Sequence, residues 1–314
     1  DINYIRNSVK VLIDAYDGTT KFYITDRTDP IIMSYRNIYP NLFVDKDEQI
    51  PEDISSQFIY PEFLYNIQAE IIKRYHNIQP DVLYRGDDIW NIATSIDGKT
   101  TTKTGVEIEP YYTMVKPVDS ETTKLGLVIP YTPYKKQNII SYAIGTYENG
   151  IPKLTIYKYT SDSNVIGTMQ LNNLTEQDTN ISKEIDKLKV TGTKITKRTI
   201  VVPIEDTLLY VQSIYQQYTN EDNSLPLLKK VVVASGNKFA IGDNIEEIQN
   251  AKKIIENLGY KVKFSENLFS NSQNYSASAK EKAKDINEMF KNSNIKMKRM
   301  PKQFITVYYT KNNY

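Results

Sequence analysis

The chain opens with a short alternation of apolar and polar residues, which predicts a β-hairpin. The alternation covers residues 9–13 and returns at 22–24, and Asp17 and Gly18 between them tolerate the positive φ of a hairpin loop. Asp29 then stands where a helix N-cap is needed, and Pro30 where the first helical residue is expected. We expect a helix over residues 30–39 that ends before the next proline.

Two further helices are predicted in the N-terminal third. Pro51 starts a short one, and Pro61 starts a longer one. In the longer helix, apolar residues at i, i+3, i+7 and i+11 lie on one face, which we expect to be packed. They are Leu64, Ile67, Ile71 and Tyr75. Residues 80–90 are typical of a turn or short helix that inserts the only tryptophan into the body. Residues 91–105, rich in Thr, Lys and Gly, predict an exposed loop.

Beyond residue 105 the period changes to that of strands. Short runs rich in β-branched residues and tyrosine are bounded there by Pro, Gly or Asn. They cover residues 111–115, 125–129, 139–146, 154–159, 199–204, 208–214 and 229–235. A helix over 176–188 interrupts them. After the turn at Gly236, a run at 238–241, an amphipathic helix over 245–258 and a strand at 260–264 are predicted.

These elements define the α+β class. We expect a mixed, mainly antiparallel sheet with a helical layer from the N-terminal third and one late amphipathic helix. A single body is predicted over residues 1–264, and a division into lobes at 1–105 and 106–264 is left open. Residues 265–314 have the composition of a linker and tail, with a basic helix and a strand-like run at 303–310.

Composition excludes several classes of function. A content of 40% apolar and 25% charged residues is typical of a globular protein, and a net charge of +1 gives no reason to expect nucleic acid as a partner. The chain has no cysteine and one histidine, His76, which removes thiol chemistry and Cys/His zinc sites. Phosphate-binding glycine loops and a Gly-x-Ser-x-Gly elbow are absent from the sequence, so we expect no cofactor. His76 follows a helix and is interpreted as structural.

Carboxylates occur in close sets, such as Asp14 with Asp17 and Asp87 with Asp88. Such sets leave open a calcium-stabilised module or a carboxylate-dependent hydrolase of envelope polymers, since both use clustered acids. Turns and helix caps account for most of them. We therefore predict neither a catalytic residue nor a metal site.

Candidate binding residues come from three places. Arg6 is considered with Asp14, and Tyr84 with Asp88 and Trp90. Lys135 with Lys136 forms an anion-friendly loop between two predicted strands. The alternative is that Arg6 pairs with a nearby acid, that the tryptophan belongs to the core, and that the lysines are solvated. The complete set is Arg6, Asp14, Tyr84, Asp88, Trp90, Lys135 and Lys136.

A series of short sequence signatures resembles one large prokaryotic family. They are NYIRNSVK at 3–10, DAYDGT at 14–19, DP at 29–30, YPE at 60–62, QAE at 68–70, YH at 75–76, PYY at 110–112, YTP at 131–133, LYV at 209–211 and LP at 225–226. In this order they resemble the uncharacterised protein family UPF0182 over about residues 3–247. The sequence departs from the family pattern at residues 84–90. The family typically has Asn after the Tyr and then variable or charged positions, whereas this chain has Arg85 and Gly86 there and retains Asp88 and Trp90.

The resemblance implies location and architecture rather than an activity. Members of the family are expected to be multi-pass membrane proteins with a large extracytoplasmic domain, and this chain resembles that domain. A start at Asp1 without Met and the absence of cysteine agree with a fragment held outside the cytoplasmic membrane. The expected partners are the membrane-embedded remainder of the parent chain and envelope proteins or polymers. The function expected is a binding or interaction module at the cell envelope.

Overall fold

The computed structural model of the protein describes residues 4–45, 48–96, 105–117, 120–148, 151–160, 163–205, 207–219, 224–243, 260–263 and 308–311. Its helices are α1 (Pro30–Ile38), α2 (Glu52–Ser55), α3 (Glu62–Tyr75), α4 (Pro80–Arg85), α5 (Thr168–Gln177) and α6 (Thr179–Asp186). Its strands are β1 (Val9–Ile13), β2 (Thr20–Ile24), β3 (Trp90–Ile92), β4 (Thr94–Ser95), β5 (Val106–Glu107), β6 (Tyr111–Pro117), β7 (Lys124–Pro133), β8 (Ser141–Glu148), β9 (Ile151–Lys158), β10 (Thr193–Glu205), β11 (Thr207–Tyr218), β12 (Leu227–Ser235), β13 (Lys238–Gly242), β14 (Tyr260–Lys263) and β15 (Tyr308–Lys311).

A nine-stranded sheet forms the centre of the fold, with the order β13-β12-β11-β10-β6-β7-β8-β9 and with β3 paired to the end of β7. All neighbouring strands in it are antiparallel except β10 and β6, which run parallel where Ile204 aligns with Lys116. The predicted class, a mixed and mainly antiparallel sheet with helices, is thereby confirmed.

Helices cover both faces of this sheet. Successive residues of a strand point to opposite sides, so neighbouring residues of one strand pack against different helices. Leu127 and Ile129 of β7 pack with Ala69 and Ile72 of α3 on one face. Val128, between them, belongs to a second cluster with Leu171 of α5. Ile181 and Ile185 of α6 extend the second layer over Ile214 of β11 and Val232 of β12. The central strands are therefore buried on both sides.

The N-terminal hairpin and its following helix agree with the sequence predictions. β1 and β2 pair antiparallel around Gly18, whose φ is 75°. Asp29 caps α1 by accepting a hydrogen bond from the backbone N–H of Ile31 at 3.0 Å. The same carboxylate accepts a bond from the Tyr4 hydroxyl at 2.8 Å and another from Ser8, which ties the start of the chain to this helix.

The predicted packed face of α3 was wrong. The helix buries Tyr65, Ala69 and Ile72, whereas Ile71 and Tyr75 of the predicted face are exposed. The hydroxyl of Tyr65 donates to the carbonyl of Ala143 at 2.9 Å, so a long-range contact fixes which side of the helix meets the sheet. α3 therefore has two apolar stripes, of which one is packed.

Other boundaries differ from the predictions for local reasons. The expected loop at 91–105 begins with strand residues, and Ala93 is fully buried. The helix expected at 176–188 is two helices, because Asp178 ends α5 and caps α6 through the N–H groups of Asn180 and Ile181. The helix at 245–258, the linker at 265–278 and the basic helix after it lie outside the described residues. The strand predicted at 260–264 is present as β14, paired with β15.

Candidate interaction surface on the α3–α4 segment

The connection from α3 to β3 carries the single histidine and the single tryptophan of the chain. His76 is the C-cap of α3, and its ring lies flat on the indole of Trp90 with centroids 3.5 Å apart and 13° between the planes. Its Nδ1 lies 2.8 Å from the carbonyl oxygen of Ile72, which can only accept, so Nδ1 carries a hydrogen. The histidine side chain is 4% exposed. The two rings thus join the end of α3 to the sheet.

Asp88 supplies the negative charge of this cluster. Its Oδ1 accepts a hydrogen bond from Trp90 Nε1 at 3.2 Å, and its Oδ2 lies 3.3 Å from His76 Nε2 and 3.4 Å from Lys158 Nζ. The approach of His76 Nε2 is an ion-pair distance without hydrogen-bond geometry, which leaves that buried nitrogen without a directed partner.

The backbone at Asp88 is held in an uncommon conformation. Its φ is 53°, in the left-handed region that non-glycine residues seldom adopt. Gly86 ends α4 with a φ of 68°, so two left-handed residues in close succession turn the chain from the helix into β3. Strain of this kind persists where several contacts determine the position of the residue, as the contacts of its carboxylate do here.

The charges around Asp88 favour its ionised form. Partial burial opposes ionisation, but the contacts with His76, Trp90 and Lys158 outweigh it and lower the pKa of Asp88 below its ordinary value. Lys158 Nζ also lies 5.3 Å from the centroid of the Trp90 ring, a cation–π distance. The carboxylate of Asp88 therefore lies near His76 and Lys158, each of which also contacts the ring of Trp90.

Large apolar side chains of the same segment remain exposed. Ile71 and Tyr75 of α3 are 51% and 64% exposed, and Ile78 and Tyr84 beyond it are 88% and 92% exposed. Arg85, next to Tyr84, is engaged by Asp81 at 3.2 Å and Asp87 at 2.7 Å. Four large exposed apolar side chains thus fall within one segment of the chain, and exposed apolar surface is a mark of interaction sites where it is contiguous. We call Ile71, Tyr75, Ile78 and Tyr84 the α3–α4 surface.

Of the predicted candidates, the structure brings Asp88 and Trp90 together and places Tyr84 four residues before Asp88, pointing to solvent. Arg6 and Asp14 do not meet. Arg6 lies 3.4 Å from Asp26 and donates to the Thr28 hydroxyl at 3.2 Å, which agrees with the alternative that it pairs with a nearby acid. Asp14 accepts the backbone N–H of Tyr16 within the hairpin turn.

Lys135 and Lys136 lie in the connection between β7 and β8, and both are exposed. Lys135 has a φ of 59°, and its Nζ lies 5.1 Å from the Tyr134 ring centroid. Lys136 closes a turn by donating its backbone N–H to Pro133. Within the described ranges, no group of three or more His, Asp or Glu side chains is arranged to hold a metal ion.

Sequence reasoning missed Lys158, the stack of His76 on Trp90, and the open face of α3. Lys158 lies 70 residues beyond Asp88 and no local signal connects them. The open face did have a signal, because α3 carries apolar residues on two stripes. A single sheet face packs against only one side of a helix, so the second apolar stripe of α3 stays exposed.

Taken together, the fold and this surface define an α+β domain with one large sheet and an exposed apolar helical segment at its side. None of the helices in the described part of the chain is both long and apolar enough to cross a membrane.

Comparison with known sequences assigns the family. The sequence model of the uncharacterised protein family UPF0182 matches residues 1–188. UPF0182 proteins of Caldicellulosiruptor saccharolyticus and Methanospirillum hungatei are 39% and 36% identical to this chain, each over 78% of it. The chain belongs to the UPF0182 family. It spans 26% and 27% of the length of these two relatives.

A second family model, that of the LD-carboxypeptidase N-terminal domain, matches residues 231–298. Of these, the structure describes 231–243 and 260–263, which form β13, β14 and most of β12. No solved structure matches the chain.

Proposed function

We propose that this chain is the extracytoplasmic interaction domain of a larger UPF0182 membrane protein. Its partner is the remainder of the parent chain, including the membrane-embedded part, and the α3–α4 surface makes the contact. The observation that carries the proposal is that α3 buries one apolar stripe against the sheet and leaves the other open at Ile71 and Tyr75.

The open stripe is better suited to a protein contact than to solvent. Each exposed Ile or Tyr that becomes buried contributes about 1.5–3 kcal/mol, by analogy with other large apolar side chains. Aromatic residues such as Tyr75 and Tyr84 are enriched at the centre of interfaces, where they lose little conformational entropy. Arg85 pairs with both Asp81 and Asp87, which leaves one net negative charge beside Tyr84.

The length of the relatives supports the choice of partner. About three-quarters of each relative lies outside the region matched by this chain. A covalently connected neighbour is present at millimolar effective concentration, so a patch of four side chains is sufficient where a free partner would need a full interface. The extracytoplasmic location rests on the family resemblance and agrees with a chain that has no cysteine.

The location is tested in a full-length relative, such as that of Caldicellulosiruptor saccharolyticus, expressed in intact cells. A cysteine is introduced at the position aligned with Tyr16, which is fully exposed in the hairpin turn and remote in sequence from the α3–α4 surface. A membrane-impermeant maleimide should label it without cell lysis. A cytoplasmic protein with a surface cysteine is the matched control, and labelling of both only after lysis would contradict an extracytoplasmic domain.

A hydrolase of envelope polymers is the second candidate, and the match to the LD-carboxypeptidase N-terminal domain at 231–298 favours it. Such an activity would cleave the peptide bond between an L-residue and a carboxyl-terminal D-residue. The test is incubation of the 314-residue chain with a tetrapeptide that ends in an L–D bond. Release of the terminal D-residue, absent with a heat-treated sample, would support this candidate, and an intact peptide after overnight incubation would remove it.

A further inference from the structure

A polar cavity lies against the β7–β8–β9 part of the sheet, away from the α3–α4 segment. Lys153 of β9 pairs in register with Thr146 of β8, and Thr155 pairs with Ile144, so these residues line one wall. Lys124 of β7 and Glu148 of β8 complete the charged lining. The cavity has a volume of about 140 Å³. An engineered cavity of about 150 Å³ holds benzene, so this one has room for a molecule of about six non-hydrogen atoms.

The lining is polar, and its positive charges outnumber its negative charge. Lys124 Nζ donates to Glu148 Oε1 at 2.8 Å, and the Thr146 hydroxyl donates to the same oxygen at 3.2 Å. Lys153 Nζ lies 3.7 Å from the other carboxylate oxygen, which is beyond hydrogen-bond distance. Its donors are therefore not used by this contact. Two ammonium groups against one carboxylate leave one net positive charge.

Glu148 is ionised at neutral pH. The hydrogen bond from Lys124 lowers the pKa of Glu148, and the nearby charges of Lys124 and Lys153 act in the same direction against partial burial. Here the second lysine has no carboxylate of its own within the cavity.

We propose that this cavity binds a small phosphate-type oxyanion between Lys124 and Lys153. Lysine ammonium groups are compact point charges with rotatable donors, and here they come from β7 and β9, the two strands on either side of β8. Inorganic phosphate, with five non-hydrogen atoms, fits the volume. The hydroxyl of Thr155 supplies a further donor in the lining. Glu148 competes with the anion for both lysines and keeps the affinity modest.

The test is calorimetric titration of the 314-residue chain with inorganic phosphate at constant ionic strength, with chloride as the background anion. A parallel titration with glycerol phosphate distinguishes free phosphate from a phosphate ester such as a lipid headgroup. We expect saturable binding of at least one of the two in the millimolar range. Lys153→Gln should weaken it at least fivefold, and Glu148→Gln should tighten it about tenfold.

The double substitution of Lys187 and Lys189 by Gln is the matched control, because it removes two exposed lysines just beyond α6 and should leave the affinity unchanged. Circular dichroism melting of each variant checks that it is folded. Absence of saturable heat with the wild-type chain up to about 20 mM of either anion overturns the proposal, as does an equal loss of affinity in the control variant. An increase in anion affinity in Glu148→Gln distinguishes a binding cavity from a simple ion-pair cluster, whose affinity for the anion would not increase.

Discussion

The imidazole ring of His76 lies on the indole of Trp90 at a centroid distance of 3.5 Å, and the indole N–H donates to Asp88 at 3.2 Å. Trp90 also packs against Tyr131, with ring centroids 5.7 Å apart, so it connects the α3–α4 segment to the centre of the sheet. Its side chain is 1% exposed.

Substitution of Trp90 should therefore destabilise the whole domain. We expect Trp90→Ala to lower the free energy of unfolding by about 3–5 kcal/mol, because a large buried ring is replaced by a cavity. Trp90→Phe retains a buried ring and should cost less, in spite of the lost donor to Asp88. Urea unfolding followed by circular dichroism measures both. A cost under about 1 kcal/mol for the alanine variant would contradict the packing described.

Asp88 should make stability depend on pH in the acid range. Its pKa is lowered in the folded protein, so its contribution is complete above the unfolded pKa of about 3.9 and is lost as the pH falls through the folded value. Asp88→Asn tolerates the positive φ and still offers an acceptor to Trp90, but it carries no charge.

The measurement is the unfolding free energy of wild type and Asp88→Asn between about pH 2 and pH 6. We expect the wild type to be the more stable at the upper end, with a difference that shrinks on acidification. A difference that grows as the pH falls would be the opposite sign and would refute the ion-pair account.

Two adjacent isoleucines of α3 provide a matched pair. Ile72 is 7% exposed and Ile71 is 51% exposed. We expect Ile72→Ala to cost about 2–5 kcal/mol and Ile71→Ala to change stability by less than about 0.5 kcal/mol, because only the first removes buried atoms. Chemical denaturation of both variants gives the comparison. Equal costs would mean that the exposed stripe of α3 is packed after all.

Gly167 lies before α5 at a point where a side chain has no room. A Cβ atom placed there would be 1.6 Å from the carbonyl oxygen of Gln137, although the φ of −83° suits any residue. We expect Gly167→Ala to destabilise by about 3 kcal/mol or more, since backbone must move. Gly18→Ala is the control, with positive φ but open space, and should cost about 1 kcal/mol. Thermal unfolding of the two variants in parallel gives the comparison. A larger loss of stability in Gly18→Ala than in Gly167→Ala would contradict the overlap at Gly167.

Elements set by local signals could be predicted from the sequence. The hairpin at Asp17 and Gly18 and the cap at Asp29 needed only residues close in the chain, and the structure has both. The break between α5 and α6 also had a local signal, because Asp178 is a typical N-cap residue. The helical periodicity continues across it, so one helix was predicted.

Choices made by distant residues could not be predicted. Periodicity predicted one apolar stripe of α3 as the packed face, and another stripe packs because Tyr131 and Ala143 of the sheet form hydrogen bonds with Ala69 and Tyr65. The same holds for Asp88, which was a candidate from the sequence, whereas its contacts with His76 and Lys158 were not predicted.

The central claim is that the open stripe of α3 contacts the rest of a UPF0182 protein. The most direct measurement places a photo-crosslinking amino acid in a full-length relative at the positions aligned with Ile71 and Tyr84. The control position is that aligned with Val190, which is also exposed and apolar but lies far along the chain. After irradiation in membranes, peptide mapping should find crosslinks from Ile71 and Tyr84 to sequence outside the matched quarter, with few or none from Val190. Equal yields at all three positions, or crosslinks only to lipid or to a second copy, would contradict the claim.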